Sequence, residues 1–222
     1  MPNIVKNTTF PSLLDLIAPH SCRGCGHTGS ILCNRCKNNI ILDRFDHPPK
    51  LKLPKSFPPT FIIDDRNSLI WSLIHSFKYH SIRALAKPLA EILHEALPTI
   101  ENPAVIVPLP TINPHIRTRG FDHTYLIAKQ LAHLRHYKVE KLLIRSQNTV
   151  QVGADRQTRL AQARTAYTIN PKSKISPNTT YIILDDVWTT GASMKAAVKL
   201  LQKTGVKKIV ITLLAVSRLN QN

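Results

Sequence analysis

One stretch decides the fold of this chain: Tyr181-Ile-Ile-Leu-Asp185-Asp186-Val-Trp-Thr189-Thr190-Gly191-Ala192-Ser193. It starts as a continuous apolar run, which is typical of a strand buried on both faces, and two adjacent carboxylates follow at its C-terminal end. A turn rich in hydroxyl groups then leads into a helical pattern over residues 192–203, which Gly205 is expected to end. This order of parts predicts a ligand site at the carboxyl end of a sheet.

Each part of the stretch suits one part of a phosphorylated sugar. The turn offers three hydroxyl groups, and its glycine lets the backbone approach a ligand closely. The first amides of the following helix attract a dianion, while the acidic pair can accept hydrogen bonds from ribose hydroxyls or hold Mg²⁺. We therefore expect a ribose 5-phosphate ligand on Asp185, Asp186, Thr189, Thr190, Gly191, Ala192 and Ser193. The alternative is an ordinary strand–loop–helix turn with exposed acids.

Strand and helix patterns alternate from residue 61 onward. Apolar runs predict strands at 61–63, 104–107, 141–144, 181–184 and 208–216. Helical patterns predict helices at 68–79, 84–97, 157–164 and 192–203, and another to residue 137 behind an Asp122 cap. The alternation predicts an α/β fold in which a parallel sheet carries helices on both faces. A brief helix at 13–17 is also expected.

All four cysteines lie in the two pairs Cys22-Arg-Gly-Cys25 and Cys33-Asn-Arg-Cys36. This spacing lets both thiolates of a turn reach one metal ion, and two such turns form a closed tetrahedral site. We predict structural Zn²⁺ in a small N-terminal knuckle that depends on the metal to fold. The alternatives are two disulfides, which a reducing cytosol disfavours, or an iron–sulfur cluster. Because four thiolates complete the site, His27 is expected to be a bystander.

The domain boundary is expected in a proline-rich segment. Residues 46–60 contain five of the sixteen prolines, which disfavour regular structure and suit an extended linker. The predicted organisation is a four-cysteine knuckle with its lead-in at 1–45, the linker at 46–60, and one α/β domain at 61–222.

The net charge of +17 is unevenly distributed. Residues 111–180 hold twelve Lys and Arg against three acidic residues, whereas residues 61–110 are close to neutral. A positive face of this kind predicts nucleic acid, nucleotides or other polyphosphates as partners, with solubilising charge as the alternative. No apolar run approaches the roughly 20 residues of a transmembrane helix, and the first 20 residues lack a secretory pattern, so we expect a cytoplasmic protein.

The stretch 181–193 resembles the phosphoribosyl pyrophosphate motif of type I phosphoribosyltransferases, with Ser193 where threonine is typical. The wider chain resembles the ComF family, competence-associated phosphoribosyltransferase-like proteins that begin with a four-cysteine knuckle. The shared landmarks, in order, are the two cysteine pairs, Phe77-Lys78-Tyr79, Val107-Pro-Leu-Pro110, Arg117-Thr-Arg-Gly-Phe121, Gln151, Arg159 and residues 185–193. The chain departs from the family at Asp122-His123, where Asn-Gln is usual, and at Gln162, where asparagine is common.

The resemblance implies phosphoribosyl pyrophosphate as the ligand, bound with Mg²⁺. Asp185 and Asp186 would hold the ribose as the catalytic residues, and the loop 189–193 would bind the 5-phosphate. Lys78, Arg117 and Arg119 would supply cations for the pyrophosphate, since cationic side chains and above all guanidinium groups suit phosphate oxygens. No role is assigned to His75, His80 or His123.

The resemblance also implies a role in natural transformation, in which the protein handles incoming single-stranded DNA in the cytosol, alongside DNA-uptake or helicase proteins. The basic middle segment gives an independent reason to expect nucleic-acid contacts, at Arg117, Arg156, Arg159 and Arg164. The alternative is an active phosphoribosyltransferase that displaces pyrophosphate from its ligand with an unidentified nitrogen acceptor. Because the sequence offers no recognisable nucleobase pocket, the question of catalysis stays open.

Overall fold

A five-stranded parallel sheet forms the centre of the molecule, in the order β1-β7-β6-β2-β3. The computed structural model describes residues 20–64, 68–145 and 167–217. The strands are β1 (Thr60–Asp64), β2 (Ala104–Pro108), β3 (Lys138–Val139), β4 (Leu143–Arg145), β5 (Tyr167–Ile169), β6 (Thr180–Trp188) and β7 (Lys208–Val216). Strands β4 and β5 stand apart from the sheet as an antiparallel pair. The predicted parallel α/β fold is confirmed.

Six α-helices surround the sheet in the described residues. They are α1 (Asn34–Asp46), α2 (Ser68–Tyr79), α3 (Ala86–Ala96), α4 (Asn113–Arg119), α5 (His123–Arg135) and α6 (Ala192–Lys203). A 3₁₀ turn at Arg83–Leu85 leads into α3. The expected cap of α5 is present, because Asp122 Oδ1 accepts a hydrogen bond of 3.2 Å from the Tyr125 amide.

The sheet separates two hydrophobic layers, as its two-residue side-chain period requires. Ile182 and Leu184 of β6 face the layer formed with helices α1, α2, α3 and α5. Tyr181 and Ile183 face the opposite layer, which contains α6 and the β4–β5 pair. Burial on both faces accounts for the apolar runs at residues 181–184 of β6 and 213–216 of β7.

The N-terminal segment packs against the first of these layers. Cys22, Cys36 and Ile40 belong to the same buried cluster as the residues of α3. Helix α1 is tied further by an ion pair of 2.7 Å between Lys37 Nζ and Glu91 Oε2, and by a hydrogen bond of 2.9 Å from Arg44 Nε to the Ile62 carbonyl. The knuckle and the α/β domain therefore share one hydrophobic core.

The proline-rich segment at 46–60 lies along the second hydrophobic layer, the one that contains α6. Between the end of α1 and the start of β1 it forms no helix or strand. Its apolar residues Leu51, Leu53 and Phe57 pack against that layer, and the Phe57 ring lies edge-on to Trp188 at 5.9 Å. The predicted division of the chain at 46–60 stays a prediction. Among the described residues, no helix is both long and apolar enough to cross a membrane.

The structure corrects the prediction of a sheet strand at 141–144. The edge strand of the sheet is instead Lys138–Val139, which pairs with β2, while Leu143–Arg145 pairs with β5 outside the sheet. A two-residue strand is too short to produce a sequence period, so the longer apolar run nearby misled the assignment. Helix α1 was not predicted, because Cys36 and Ile40 are its only buried residues. The helices expected at 13–17 and 157–164 lie outside the described residues.

Candidate functional site

The carboxyl ends of β2 and β6 open onto a cavity of about 340 Å³. Six of the residues that the sequence nominated line it together: Lys78, Arg119, Asp185, Asp186, Thr189 and Ser193. The rest of the wall includes the loop after β2, helices α4 and α5, and the β4–β5 pair. This is the edge of a parallel sheet at which ligands bind in α/β folds.

The acidic pair lies within β6 rather than in the turn that follows it. The strand was predicted to end at Leu184, but its pairing with β7 continues to Trp188 opposite Val216. Because side chains alternate along a strand, Asp186 projects to the same face as Leu184, and Asp185 projects to the other. The two carboxylates therefore lie in different surroundings.

Asp186 is almost fully buried, with 4% of its surface exposed, and is bound by two basic side chains. Its Oδ2 atom lies 2.6 Å from Lys78 Nζ at the end of α2 and 2.7 Å from His123 Nε2 at the start of α5. Burial opposes ionisation, but the hydrogen bond from His123 and the charge of Lys78 hold the pKa of Asp186 well below its usual range. Asp186 is thus an ionised anchor for Lys78 and His123.

His123 connects this anchor to a buried arginine. Arg119 Nη1 lies 3.0 Å from His123 Nδ1, and the Arg119 guanidinium stands over the Tyr79 ring at 5.5 Å. Only 9% of the Arg119 surface is exposed, yet its side chain reaches the cavity wall. Sequence reasoning assigned no role to His123, and the signal that could have revealed one was the departure from Asn-Gln at positions 122 and 123.

Asp185 faces the cavity and is partly exposed. Its Oδ1 atom accepts a hydrogen bond of 2.9 Å from the Asp186 amide. Burial and the neighbouring Asp186 carboxylate raise the pKa of Asp185, and the more distant charges of Lys78 and Arg145 compensate only in part. The ionised form of Asp185 would therefore gain from a cation or from ligand hydroxyl groups.

The loop after β6 forms a second, smaller concavity of about 60 Å³ next to Asp185. All five nominated loop residues line it: Thr189, Thr190, Gly191, Ala192 and Ser193. Gly191 adopts a left-handed conformation with φ of 71° immediately before the first residue of α6. The first turn of α6, whose amides have no partners within the helix, therefore borders this concavity, and the Ala192 amide donates to Thr190 Oγ1 at 3.4 Å.

Gly191 is required by its neighbour as well as by its backbone angle. A Cβ atom at this position would lie 2.0 Å from Cζ2 of Trp188, which is far inside contact distance. Trp188 is 4% exposed and packs beneath the loop. The turn thus fits closely over the indole ring.

Two residues of the β4–β5 pair complete the wall of the larger cavity. Tyr167 is buried and hydrogen-bonds to Ser193, and the Arg145 guanidinium lies 5.6 Å from the Tyr167 ring centre. Sequence reasoning missed both residues, because nothing in the local sequence shows that this antiparallel pair folds against the loop. His115 of α4, also not nominated, lines the same wall.

Of the four arginines that were expected to contact nucleic acid, one lies within the described residues. Arg117 is exposed on α4, where it does not line the cavity. The other three, Arg156, Arg159 and Arg164, lie outside the described residues.

The four cysteines converge at the N-terminal end of the chain. Their sulfur atoms all lie within 4.8 Å of one another, and none is in a disulfide. Backbone amides of Gly24 and Cys33 point to Cys22 Sγ at 3.4 and 3.3 Å, as expected for thiolates in a knuckle. The arrangement fits a metal ion with four sulfur ligands.

The thiols cannot all ionise without such a cation. Burial raises the pKa of Cys22, but amide hydrogen bonds from Cys33, Cys25 and Gly24 outweigh it and bring the pKa to about 6. Burial, followed by contacts with the other thiols, raises the pKa of Cys36 to about 12. A divalent cation would supply the positive charge that four close thiolates need.

The model of the phosphoribosyl transferase domain matches residues 78–221. The chain belongs to this family. The match begins at Lys78 and includes every described residue that lines the larger cavity. The phosphoribosyl transferase domain thus accounts for the α/β part from the end of α2 onward, while the four-cysteine knuckle, β1 and most of α2 precede it.

The resemblance to the ComF family is confirmed by a curated relative. Competence protein F of Haemophilus influenzae is 26% identical over 201 residues, and the alignment covers 84% of this chain and 82% of that protein. The match extends well beyond the phosphoribosyl transferase domain.

Two solved phosphoribosyltransferases match this chain at low sequence identity. Adenine phosphoribosyltransferase from Leishmania tarentolae is 14% identical, with coverage of 77% of this chain and 97% of that chain and a TM-score of 0.44. The adenine enzyme from Trypanosoma brucei, in complex with AMP, pyrophosphate and ribose-5-phosphate, is 11% identical, with coverage of 78% and 90% and a TM-score of 0.44.

Gly191→Ala tests the fit of the loop over Trp188, with Gly205→Ala as a matched control. Both glycines have positive φ, but a Cβ at position 205 meets nothing within 4 Å. We expect the control to lower the free energy of unfolding by about 1–2 kcal/mol and Gly191→Ala by about 3 kcal/mol or more. Urea unfolding measures both, and Trp188 fluorescence in a Trp71→Phe background should change only for Gly191→Ala. Equal losses in the two variants would contradict the close fit.

Proposed function

We propose that this chain binds phosphoribosyl pyrophosphate with Mg²⁺ and acts in natural transformation, where it handles incoming single-stranded DNA in the cytosol. The main support for this ligand is that Asp185 lines two neighbouring concavities. One is a hydroxyl-rich loop at a helix N-terminus, and the other contains the basic residues Lys78 and Arg119.

The ligand would lie across these two concavities with Asp185 between them. The 5-phosphate would occupy the loop 189–193, beside the hydroxyl groups of the loop and the first turn of α6. Asp185 would accept hydrogen bonds from the ribose or hold Mg²⁺, and either would offset the burial and the repulsion from Asp186 that raise its pKa. The pyrophosphate would face the basic side chains in the larger cavity.

The competence role is supported by the similarity to Competence protein F and by the distribution of charge. Residues 111–180 carry twelve basic against three acidic residues. On the described surface, exposed Arg117 lies on α4, and Tyr79 at the cavity rim is 66% exposed. Single-stranded DNA could bind Arg117 through its phosphates and stack a base on the Tyr79 ring. Such contacts would give only a weak preference for sequence.

We also propose that Cys22, Cys25, Cys33 and Cys36 hold structural Zn²⁺. Four sulfur ligands in a tetrahedral arrangement favour zinc over harder cations such as Mg²⁺. Because Cys22 and Cys36 are part of the buried cluster beside α3, the metal would also order the surface on which α1 packs. Its role here is structural, since no ligand position remains open.

Asp185→Asn tests the ligand site, with Asp46→Asn on the distant surface of α1 as the control for loss of one negative charge. We expect wild type and the control to show saturable binding of phosphoribosyl pyrophosphate with Mg²⁺ in titration calorimetry. Asp185→Asn should lose affinity at least about tenfold, since a carboxylate that holds ligand hydroxyls or a metal is replaced by a neutral amide. Absence of binding by folded wild type would refute the ligand assignment.

Arg117→Gln tests the nucleic-acid role against Lys199→Gln, which removes an exposed charge on α6 outside the basic segment. Affinity for a single-stranded oligonucleotide should fall steeply with salt in wild type. Loss of one phosphate contact should lower the slope of log affinity against log salt by about 0.7 for Arg117→Gln and leave it unchanged for the control. Fluorescence anisotropy over a salt series measures these slopes. An affinity independent of salt would exclude this mode of binding.

Cys25→Ser tests the metal site, with His27→Ala as the control, since both side chains are exposed in the same loop. We expect one zinc ion per wild-type chain by elemental analysis, retained in His27→Ala and reduced in Cys25→Ser. Chelation should lower the thermal unfolding midpoint of wild type, because the ligands share the core with α3. Purified wild type with full thiol titration and no bound metal would show that zinc is not its structural ion.

A further inference from the structure

His123 lies between one buried cation and one buried anion. Arg119 Nη1 approaches its Nδ1 atom at 3.0 Å, and Asp186 Oδ2 lies 2.7 Å from its Nε2 atom. The side chain is 7% exposed, so water does not compete freely for either nitrogen. Its two nitrogens are thus held by partners from α4 and β6.

The chemistry of these partners decides where the proton of neutral His123 lies. A guanidinium group has only donors, so Arg119 donates to Nδ1, and that nitrogen must be the acceptor. An ionised carboxylate can only accept, so a neutral His123 that faces Asp186 Oδ2 at 2.7 Å carries its proton on Nε2. The Thr111 hydroxyl, 3.4 Å from Nδ1, donates instead to Asp122 at 3.1 Å and leaves the Arg119 contact undisturbed.

Arg119 has few other contacts that could fix its position. Within residues 20–64, 68–145 and 167–217, none of the observed ion pairs involves Arg119. Its guanidinium rests on the Tyr79 ring and on His123 Nδ1, and it lines the cavity next to Lys78. A largely buried cation without a carboxylate partner in this part of the chain is well suited to an anionic ligand.

We propose that His123 is a positioning residue that directs the Arg119 guanidinium at the anionic part of the ligand, and that Asp186 acts through His123 and Lys78 rather than on the ligand itself. This inference rests on the proposed function, since it assumes an anionic ligand in the cavity. It divides the acidic pair into one ligand residue, Asp185, and one anchor, Asp186. It also explains why the acid that is almost fully buried is the one with both basic contacts.

The proton position gives a test that needs no ligand. Nitrogen-15 NMR of His123, assigned by comparison with His123→Gln, should show at neutral pH a protonated Nε2 and an acceptor Nδ1. Because a neutral histidine without fixed partners already favours the proton on Nε2 but exchanges with the other form, the diagnostic result is this tautomer alone, with both nitrogens hydrogen-bonded, rather than a mixture. Protonated Nδ1 in neutral His123 would overturn the proposal.

Two substitutions then test the effect on ligand binding. Glutamine offers one acceptor oxygen and one donor nitrogen, so His123→Gln can serve both partners, whereas His123→Leu serves neither. We expect affinity for phosphoribosyl pyrophosphate with Mg²⁺ to stay within about threefold in His123→Gln and to fall about tenfold in His123→Leu. In an Arg119→Gln background, His123→Leu should cause no further loss, because its effect passes through Arg119.

The outcomes separate this inference from the proposed function. Equal losses in His123→Gln and His123→Leu, or additive losses with Arg119→Gln, would overturn the positioning role even though wild type binds the ligand. Failure of folded wild type to bind would refute the proposed function, and with it the ligand-directing role, whatever the NMR result for the tautomer. If His123→Leu does not fold, His123→Gln and the tautomer still decide the matter.

Discussion

The alternation of side chains along β6 is the constraint on which the rest of the site depends. Pairing with β2 ends at Leu184, and pairing with β7 keeps the strand extended through both acids to Trp188. Asp186 must then enter the layer of α2 and α5, and Asp185 must face α6 and the loop. Two carboxylates that are adjacent in sequence thereby acquire opposite partners. One is neutralised by the protein, and the other is left with a raised pKa at the cavity.

The same strand also sets the shape of the loop. Trp188, its last residue, is buried with the second layer, and its indole ring leaves no space for a Cβ at Gly191. The amides and hydroxyl groups of the loop must therefore lie over this ring. Phe57 of the proline-rich segment packs edge-on to the indole from another part of the chain. Residues far from the cavity in sequence thus help to hold the candidate phosphate site.

Local patterns account for what the sequence predicted well. The acidic pair, the hydroxyl-rich turn and the two cysteine pairs each occupy a few consecutive residues, and their chemistry is visible without knowledge of the fold. Strand β3 has two residues, and helix α1 buries only Cys36 and Ile40, so neither produces a recognisable period. Arg145 and Tyr167 reach the site through the pairing of β4 with β5, which is a long-range contact. The different surroundings of Asp185 and Asp186 were likewise not predictable, because they depend on how far β6 stays paired with β7.

The distribution of charge around the cavity follows from these placements. Lys78 is matched by Asp186 at 2.6 Å, so the anchor and this cation largely cancel in a setting of low dielectric. Arg119 and Arg145 contact an imidazole and a phenol ring instead, and these groups orient a guanidinium without pairing it with a carboxylate. A site that neutralised every cation would gain nothing from an anionic ligand, because the desolvation cost would have no compensating attraction. Because His123 rather than a second carboxylate contacts Arg119, the arginine is held in place while its positive charge stays available to an anionic ligand.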